Sequence, residues 1–191
     1  MTILFAGSSL PVLDKSFFAQ NTLTVARDLI GVRLKYRECE GIIVETEAYK
    51  EDAASHAVTK PLKGVMLRET FGQVYIFFIY GMYHCLNFTT EEHGVGAVLI
   101  RAIEPTAGIE HMKKRRKTDR IVNLTNGPGK LFQAFGFHPN LHGQPVNKSI
   151  VLQSCENQRH FKIATSQRIG ISRAVDLEWR FYMAGNKFVS K

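Results

Sequence analysis

The chain has 191 residues, 45% of them hydrophobic, so it can bury the core of one domain over residues 1–191 without cross-links. Its 25 Lys and Arg outnumber its 17 Asp and Glu and give a net charge of +8. This excess favours nucleic acid as a partner, ahead of an anionic membrane surface; a merely basic enzyme is the alternative. The three cysteines are far apart, which excludes a disulfide framework and is typical of a cytoplasmic protein.

The pattern of apolar residues, Gly and Pro predicts a series of hairpins with few helices. In chain order, we expect a helix within 17–30 capped by Thr22 or Thr24, strands 32–36 and 41–49 joined by a turn at 39–41, an irregular connection over 53–68, hairpin strands 74–79 and 82–88, strand 96–102, helix 109–120, a loop at 126–130, a short helix 131–135, and strands 149–152 and 180–183. Because strands do not alternate with helices, the fold class is a mixed α/β (α+β) single domain with a curved, largely antiparallel sheet, surrounding helices and a protruding β-hairpin.

A polar group of side chains lies on the predicted strand 41–49. Glu45, Glu47 and Tyr49 share one face of that strand, opposite a face that would meet the core, and His56 follows within one loop. Two carboxylates, a phenol and an imidazole suit general-base chemistry and hydrogen bonding to a flat heterocycle. A solvated strand face is the alternative, and spacing alone does not choose between the two carboxylates.

The most unusual segment is 73–87, which carries five aromatic residues and no formal charge. It is too short and too interrupted by polar residues to span a membrane. Tyr80 and Gly81 stand where the hairpin would turn, so Tyr80 would be held away from the core as a wedge aimed at stacked bases. Along the first strand, we expect Val74, Ile76 and Phe78 to pack in the core.

Further charged residues lie on the later elements. Arg101 ends an apolar strand and should pair with a carboxylate, either as part of a catalytic site or as a plain salt bridge. The basic run of Lys113, Lys114, Arg115 and Arg116 and the loop of Gly127, Gly129 and Lys130 would contact phosphates. A solvated charge run and a tight turn are the respective alternatives. Because no CxxC pair occurs, we expect no metal and no cofactor.

Taken together and in order, these motifs resemble the alkyladenine (3-methyladenine) DNA glycosylase family, the mammalian-type purine glycosylases with bacterial members. The matching segments are 25–31, 44–49, 54–56, 74–87, 98–105, 126–131, 168–170 and 180–182. They cover most of the chain, and the ordered set is highly specific.

The resemblance implies a role for each matched residue. It implies that Glu47 is the general base and that Arg101 helps to hold the attacking water. The implied base pocket comprises Tyr49, His56, Phe77 and Asn87, the implied intercalating residues are Tyr80 and Met82, and the implied contacts to the DNA backbone include Gly127, Gly129 and Lys130. Phe77 stands where the family can have a tyrosine, so stacking is retained and a hydroxyl is lost.

The resemblance also implies the activity. The enzyme would flip alkylated purines, such as 3-methyladenine and 7-methylguanine, with hypoxanthine and ethenoadenine as further candidates, out of double-stranded DNA and hydrolyse the N-glycosidic bond with an activated water. It would act as a cytoplasmic monomer at the bacterial nucleoid, without a cofactor or a membrane. Since no lysine occupies a matched pocket position, we expect no Schiff base and no strand cleavage. The rival hypothesis is a noncatalytic domain on the same scaffold that binds RNA or tRNA.

Overall fold

The computed structural model describes residues 10–79, 81–154 and 161–190. Those residues form five α-helices, eight strands and three short 3₁₀ helices. The helices are α1 (Thr22–Asp28), α2 (His56–Thr59), α3 (Pro61–Glu69), α4 (Ile109–Arg116) and α5 (Pro128–Phe135). The strands are β1 (Arg33–Tyr36), β2 (Cys39–Tyr49), β3 (Val74–Ile79), β4 (Tyr83–Thr90), β5 (Gly96–Ala107), β6 (Val151–Gln153), β7 (Ile163–Ser166) and β8 (Arg180–Met183).

The strands form one antiparallel sheet in the order β3-β4-β5-β2-β1-β6, and β8 joins it by pairing with β2 and β7. The register between β2 and β5 shifts at three places, and such bulges bend and twist a sheet. The fold class expected from the sequence, a mixed α+β fold around an antiparallel sheet, is therefore confirmed. Within the described residues, no helix is long and apolar enough to cross a membrane.

The C-terminal half of β2 is the centre of the sheet, because it pairs with β5 on one edge and with β8 on the other. Helix α1 packs its apolar stripe on the sheet, where Val25 and Ala26 are fully buried, and the Thr46 hydroxyl donates to the Ala26 carbonyl oxygen at 2.7 Å. Residues 43–48 of β2 are all buried, so neither face of this part of the strand is solvated. Glu45 and Glu47 are accordingly 0% exposed.

Two local predictions near the start of the chain were wrong in detail. Asn21, not Thr22 or Thr24, caps α1, because its side-chain oxygen accepts from the Leu23 N–H at 3.0 Å. The turn before β2 lies at residues 37–38 rather than 39–41, with Arg37 in the left-handed region at φ 53°.

The irregular connection expected over 53–68 was also wrong, because α2 and α3 occupy it. Pro61 stands in the first turn of α3, where the absent N–H costs nothing. A Cβ on Gly64 would lie 2.6 Å from the Ala57 Cα, so the glycine permits the two helices to approach closely. Pro61 and Gly64, on which the expected irregular connection rested, instead allow two helices to pack closely.

The remaining differences concern element ends. Strand β5 continues past the expected residue 102 through Pro105, which faces Gly41 at a shift in register. Helix α4 ends at Arg116 instead of residue 120, and α5 begins at Pro128 instead of residue 131. Strand β7 was not predicted. Phe78 is 45% exposed rather than packed in the core, because β3 leaves the core near the end of the hairpin.

Candidate active site

A cavity of about 840 Å³ opens between the β3–β4 hairpin, the helical pair α2–α3, the start of α5 and residues 169–173. Its wall includes eight of the residues singled out from the sequence as contacts of a base or of DNA, together with Arg101. These eight are Tyr49, His56, Phe77, Asn87, Arg116, Gly127, Gly129 and Lys130. The structure thus brings segments far apart in the chain into one concave site.

Glu47 lies immediately behind the cavity wall, and its partners Tyr49, Ile169 and Arg101 all belong to that wall. Its Oε2 accepts from the Tyr49 hydroxyl at 2.8 Å. Its Oε1 accepts from the Ile169 N–H at 2.7 Å and lies 3.2 Å from an Arg101 guanidinium nitrogen. Because both oxygens are held, the carboxylate has one defined orientation behind the cavity.

Glu45 is equally buried but belongs to a different cluster. Its Oε1 accepts from the Arg101 Nε at 3.0 Å, the Arg180 Nε at 2.7 Å and the Ser190 hydroxyl at 2.7 Å. Its Oε2 accepts from the Ser190 N–H at 2.6 Å. Arg180 and Ser190 do not line the cavity. The solvated strand face is excluded for both carboxylates. Both contact Arg101, but the other partners of Glu47 belong to the cavity wall and those of Glu45 do not.

Arg101 bridges the two carboxylates and is itself part of the cavity wall. Burial alone would lower the pKa of Arg101, but the charges of Glu47 and Glu45 outweigh burial and raise it. The guanidinium is therefore a permanent cation beside Glu47. Arg101 lies in the middle of β5 rather than at the end of a strand, because β5 runs to Ala107. It forms the expected salt bridge with carboxylates and also borders the cavity.

Tyr49 presents its ring to the cavity and its hydroxyl to Glu47. Burial, and then the neighbouring Glu47 charge, raise the pKa of the Tyr49 hydroxyl far above its ordinary value of 10. The phenol therefore stays protonated and donates to the carboxylate. On the ring, the Arg168 guanidinium lies 4.7 Å from the centroid.

His56 is the first residue of α2 and faces the hairpin across the cavity. Its Nδ1 is 2.8 Å from the Tyr75 hydroxyl, and its ring meets Phe77 edge-on with 3.8 Å between centroids. Burial raises the pKa of Tyr75 to about 12, so the phenol remains protonated. Tyr75 had no role in the sequence-based site, although its i, i+2 spacing from Phe77 on one strand was a usable signal.

Asn87 is held in a fixed orientation in the cavity wall. Its side-chain nitrogen donates to the Tyr75 carbonyl at 3.0 Å and to the Cys85 carbonyl at 3.2 Å. The side chain is buried, so its amide group presents a fixed hydrogen-bonding surface to anything that enters.

The end of the hairpin carries exposed apolar side chains beside the cavity. Tyr80 lies outside the described residues. Gly81 has φ +66°, and Met82 is 65% exposed. Tyr83 and Phe78 are also exposed and line the cavity, which sequence reasoning missed. An added Cβ on Gly129 would come within 3.1 Å of the Tyr83 ring, so this glycine lets α5 pack on the hairpin.

The basic residues predicted to contact phosphates divide into two groups. Arg116 and Lys130 line the cavity, whereas Lys113, Lys114 and Arg115 do not. Lys113 pairs with Glu110 at 2.8 Å. Arg115 pairs with Glu38 and donates to the Ala134 carbonyl at 3.1 Å, which ties α4 to α5.

Two further cations of the cavity wall, Lys60 and Arg173, were missed by sequence reasoning. The Lys60 ammonium lies over the Phe77 ring, 5.0 Å from its centroid. A lysine therefore does border the cavity, although it stands in no matched pocket position.

Metal-ligand clusters of three or more His, Cys, Asp or Glu are absent from the described part of the chain. His138 and His142 have the HxxxH spacing that can bind a metal on a helix. Here they flank the 3₁₀ turn Pro139–Leu141. Their Nδ1 atoms accept from the N–H groups of Asn140 and Ile76, respectively, at 3.2 and 3.1 Å.

Comparison with known proteins shows the family of the chain. The family described as methylpurine-DNA glycosylase (MPG) matches residues 16–187. Three curated relatives are each named "Putative 3-methyladenine DNA glycosylase". The relative from Prosthecochloris aestuarii is 45% identical over 93% of this chain and 90% of its own length. The relatives from Agrobacterium fabrum and Salinibacter ruber are 44% and 41% identical, over 95% and 93% of this chain and 93% and 96% of their own lengths. The chain therefore belongs to the methylpurine-DNA glycosylase family, whose members are hydrolases acting on N-glycosyl bonds in DNA.

Proposed function

We propose that this protein is a DNA repair enzyme that draws an alkylated purine nucleotide out of duplex DNA into the cavity and hydrolyses its N-glycosidic bond with a water activated by Glu47. The observation that carries this proposal is a fully buried carboxylate whose partners Tyr49, Ile169 and Arg101 all belong to the cavity wall. Enzymes that act on a base inside a duplex must first extrude the nucleotide.

Tyr49 and Phe77 supply the flat apolar surfaces of the proposed base site. Alkylation at N3 or N7 makes a purine cationic, and aromatic faces attract cations. We therefore propose 3-methyladenine and 7-methylguanine as substrates. Hypoxanthine and ethenoadenine are neutral and would need a proton before they leave. His56 and Asn87 would hydrogen-bond to the extruded nucleotide and discriminate against unmodified bases.

In the proposed reaction, Glu47 accepts a proton from water as the water oxygen bonds to the anomeric carbon. The electrons of the bond from that carbon to the base nitrogen leave with the purine and neutralise its positive charge. The carboxylate also stabilises the positive charge that develops on the sugar. Arg101 would orient both the carboxylate and the water. Because water is the nucleophile, the product is an intact strand with an abasic site.

Binding to duplex DNA would use the exposed end of the hairpin and the cations of the cavity rim. Tyr80 and Met82 are proposed to fill the gap that the extruded nucleotide leaves, where one base–aromatic contact contributes about 1–3 kcal/mol. Arg116 and Lys130, with the amide groups at Gly127 and Gly129, would contact phosphates.

The decisive experiment is release of free 3-methyladenine from methylated duplex DNA by the wild type and by Glu47→Gln. The glutamine cannot accept the proton, so we expect the excision rate to fall by about 10²–10⁴ while DNA affinity is retained. Glu40→Gln is the matched control, since Glu40 lies on the same strand and pairs with Lys35 at 2.8 Å, away from the cavity.

If the wild type and Glu47→Gln are both inert while both bind nucleic acid, the noncatalytic binding domain becomes the better explanation. Cleavage of the strand by the wild type without heat or alkali would contradict the monofunctional mechanism. A control Glu40→Gln that lost the same activity would show that the assay reports folding and not the site.

A further inference from the structure

Arg168 is a fully buried cation directly behind the cavity wall. Its side chain is 0% exposed, and its guanidinium lies between two rings, 4.7 Å from the Tyr49 centroid and 5.1 Å from the Trp179 centroid. Arg168 does not line the cavity, but the five residues that follow it, 169–173, all do. The guanidinium therefore supports the Tyr49 ring and the segment 169–173 from behind the cavity wall.

The hydrogen bonds of Arg168 join three parts of the molecule. The guanidinium binds the Asp52 carboxylate with two hydrogen bonds, at 3.1 and 2.7 Å. It also donates to the carbonyl oxygens of Ala48 at 3.0 Å and of Ala174 at 3.4 Å. It thus closes the wall segment 168–174 on itself and attaches it to strand β2 and to the loop after β2.

The attachment points lie next to Glu47 along the chain and in space. Ala48 and Tyr49 follow Glu47 on β2, and Ile169, which follows Arg168, donates its N–H to Glu47 at 2.7 Å. Two of the three groups that hold Glu47, the Tyr49 hydroxyl and the Ile169 N–H, therefore belong to residues that Arg168 touches or adjoins.

We propose that Arg168 is a positioning residue that sets the orientation of Glu47, acting through the Tyr49 ring and the Ile169 amide. This inference rests on the proposed function and deepens it. A buried charge is costly unless its geometry satisfies it, and only a planar guanidinium can bind a carboxylate with two bonds while stacking on a ring. A lysine at this position would keep the charge and lose that geometry.

The test compares Arg168→Lys with the wild type in single-turnover excision of 7-methylguanine from duplex DNA. We expect the rate to fall by about 30-fold, because a small displacement of Glu47 suffices to lose alignment. Affinity for duplex DNA that carries a non-hydrolysable abasic analogue should stay within about twofold of the wild-type value, since Arg168 itself does not line the cavity. Asp52→Asn weakens the same anchor from the other side and should lower the rate in the same way, less strongly.

A double-mutant cycle with Tyr49→Phe separates positioning from general destabilisation. If Arg168 acts through the Tyr49 and Glu47 pair, adding Arg168→Lys to Tyr49→Phe will lower the excision rate by a smaller factor than adding it to the wild type. Leu34→Ala, in the core strand β1 far from the cavity, is the control that lowers the melting temperature and leaves the single-turnover rate unchanged.

The possible outcomes separate the two proposals. If the rate losses of Arg168→Lys and Tyr49→Phe simply multiply in the double variant, the role of Arg168 is overturned and the proposed function is left intact. The same follows if Arg168→Lys and Asp52→Asn both leave the rate unchanged. An inert wild type would overturn the proposed function and this inference with it. If Arg168→Lys does not fold, Asp52→Asn and its cycle with Tyr49→Phe decide the question.

Discussion

Glu45 and Glu47 show how two identical side chains, two residues apart on one strand, can have different roles. Both are fully buried and both contact Arg101, so burial and charge do not separate them. Their remaining partners do, since those of Glu45 tie down the C-terminal residues and those of Glu47 form the cavity wall. Removing either partner of a buried ion pair typically costs about 3–5 kcal/mol, so Glu45 is best understood as a structural anchor for Arg101.

The Tyr49 hydroxyl provides a residue-scale prediction distinct from stacking. Tyr49→Phe keeps the ring in the cavity and removes the donor to Glu47, so we expect the single-turnover excision rate to fall by about tenfold with little change in DNA affinity. Because burial and Glu47 raise the pKa of Tyr49, the wild-type phenol is protonated throughout, and the ratio of the two rates should be constant between about pH 6 and pH 8.

The control for this prediction is Tyr36→Phe, which removes a hydroxyl from the core strand β1, remote from the cavity. An undiminished rate in Tyr49→Phe would show that Glu47 needs no help from the phenol. A ratio that drifts steadily with pH would instead indicate that a group titrating in this range controls the difference.

At the scale of elements, the site exists because four strands of one sheet and the segment before β8 converge. Strand β2 supplies Glu47 and Tyr49, β5 supplies Arg101, and the β3–β4 hairpin supplies Phe77 and Asn87. Strands β2, β4 and β5 have partners on both sides, and the edge strand β3 pairs with β4, so main-chain hydrogen bonds rather than the site residues themselves set their positions.

Helix α1 carries a destabilising feature at its C-terminal end. Asp28 is its last residue, and burial raises the pKa of the Asp28 carboxyl above its usual value of 3.8. A negative charge at a helix C-terminus is unfavourable by about 0.3–1 kcal/mol. Asp28→Asn should therefore raise the melting temperature near pH 7 by about 1–4 °C.

The pH dependence of this effect follows from the sign of the shift. A carboxyl whose pKa is raised by folding contributes its full stability only below its unfolded pKa, and that contribution is lost as pH rises through the folded pKa. The advantage of Asp28→Asn should thus disappear below pH 3.8. Thermal unfolding near pH 7 and below pH 3.8 checks this prediction, with Asp176→Asn in an exposed loop as the control. An equal rise in melting temperature at the two pH values would contradict it.

At the scale of the whole molecule, only some of the cations behind the net charge of +8 lie around the cavity. Lys60, Arg116, Lys130 and Arg173 line it, while Arg101 is neutralised by two carboxylates. Other cations are engaged in ion pairs elsewhere on the surface, as Lys35 is with Glu40. Long-range attraction to DNA would come from the total, and the docking geometry from the few cations at the rim.

A salt titration measures how much the cations at the cavity rim contribute to the affinity for duplex DNA. Duplex affinity should fall steeply with salt, and Arg116→Gln should reduce the slope of log K against log salt by about 0.9, the value for one phosphate contact. Lys35→Gln, on β1 and away from the cavity, should leave the slope unchanged. Equal changes in both variants would show that total charge alone governs binding.

Short-range sequence patterns were sufficient to predict many of the structural elements of this protein. The alternation on β2 placed Glu45, Glu47 and Tyr49 on one face, and the hairpin followed from its aromatic strands and the Tyr80-Gly81 pair. Where local signals were weak, the prediction was wrong: the two helices over 53–68 depend on Gly64 fitting against a neighbouring helix. Such a fit requires knowledge of which surfaces meet.

What the sequence by itself determined was the class of fold, the family and the set of polar residues on β2, because these depend on periodicity and ordered motifs within short segments. Tertiary structure alone decided which carboxylate is held entirely by residues of the cavity wall, and it brought Lys60, Tyr83 and the segment after Arg168 to that wall. The physical reason is distance along the chain: the Ile169 amide reaches Glu47 from 122 residues away, and the Ser190 amide reaches Glu45 from 145. Contacts of that range leave no periodic trace in the segments that make them.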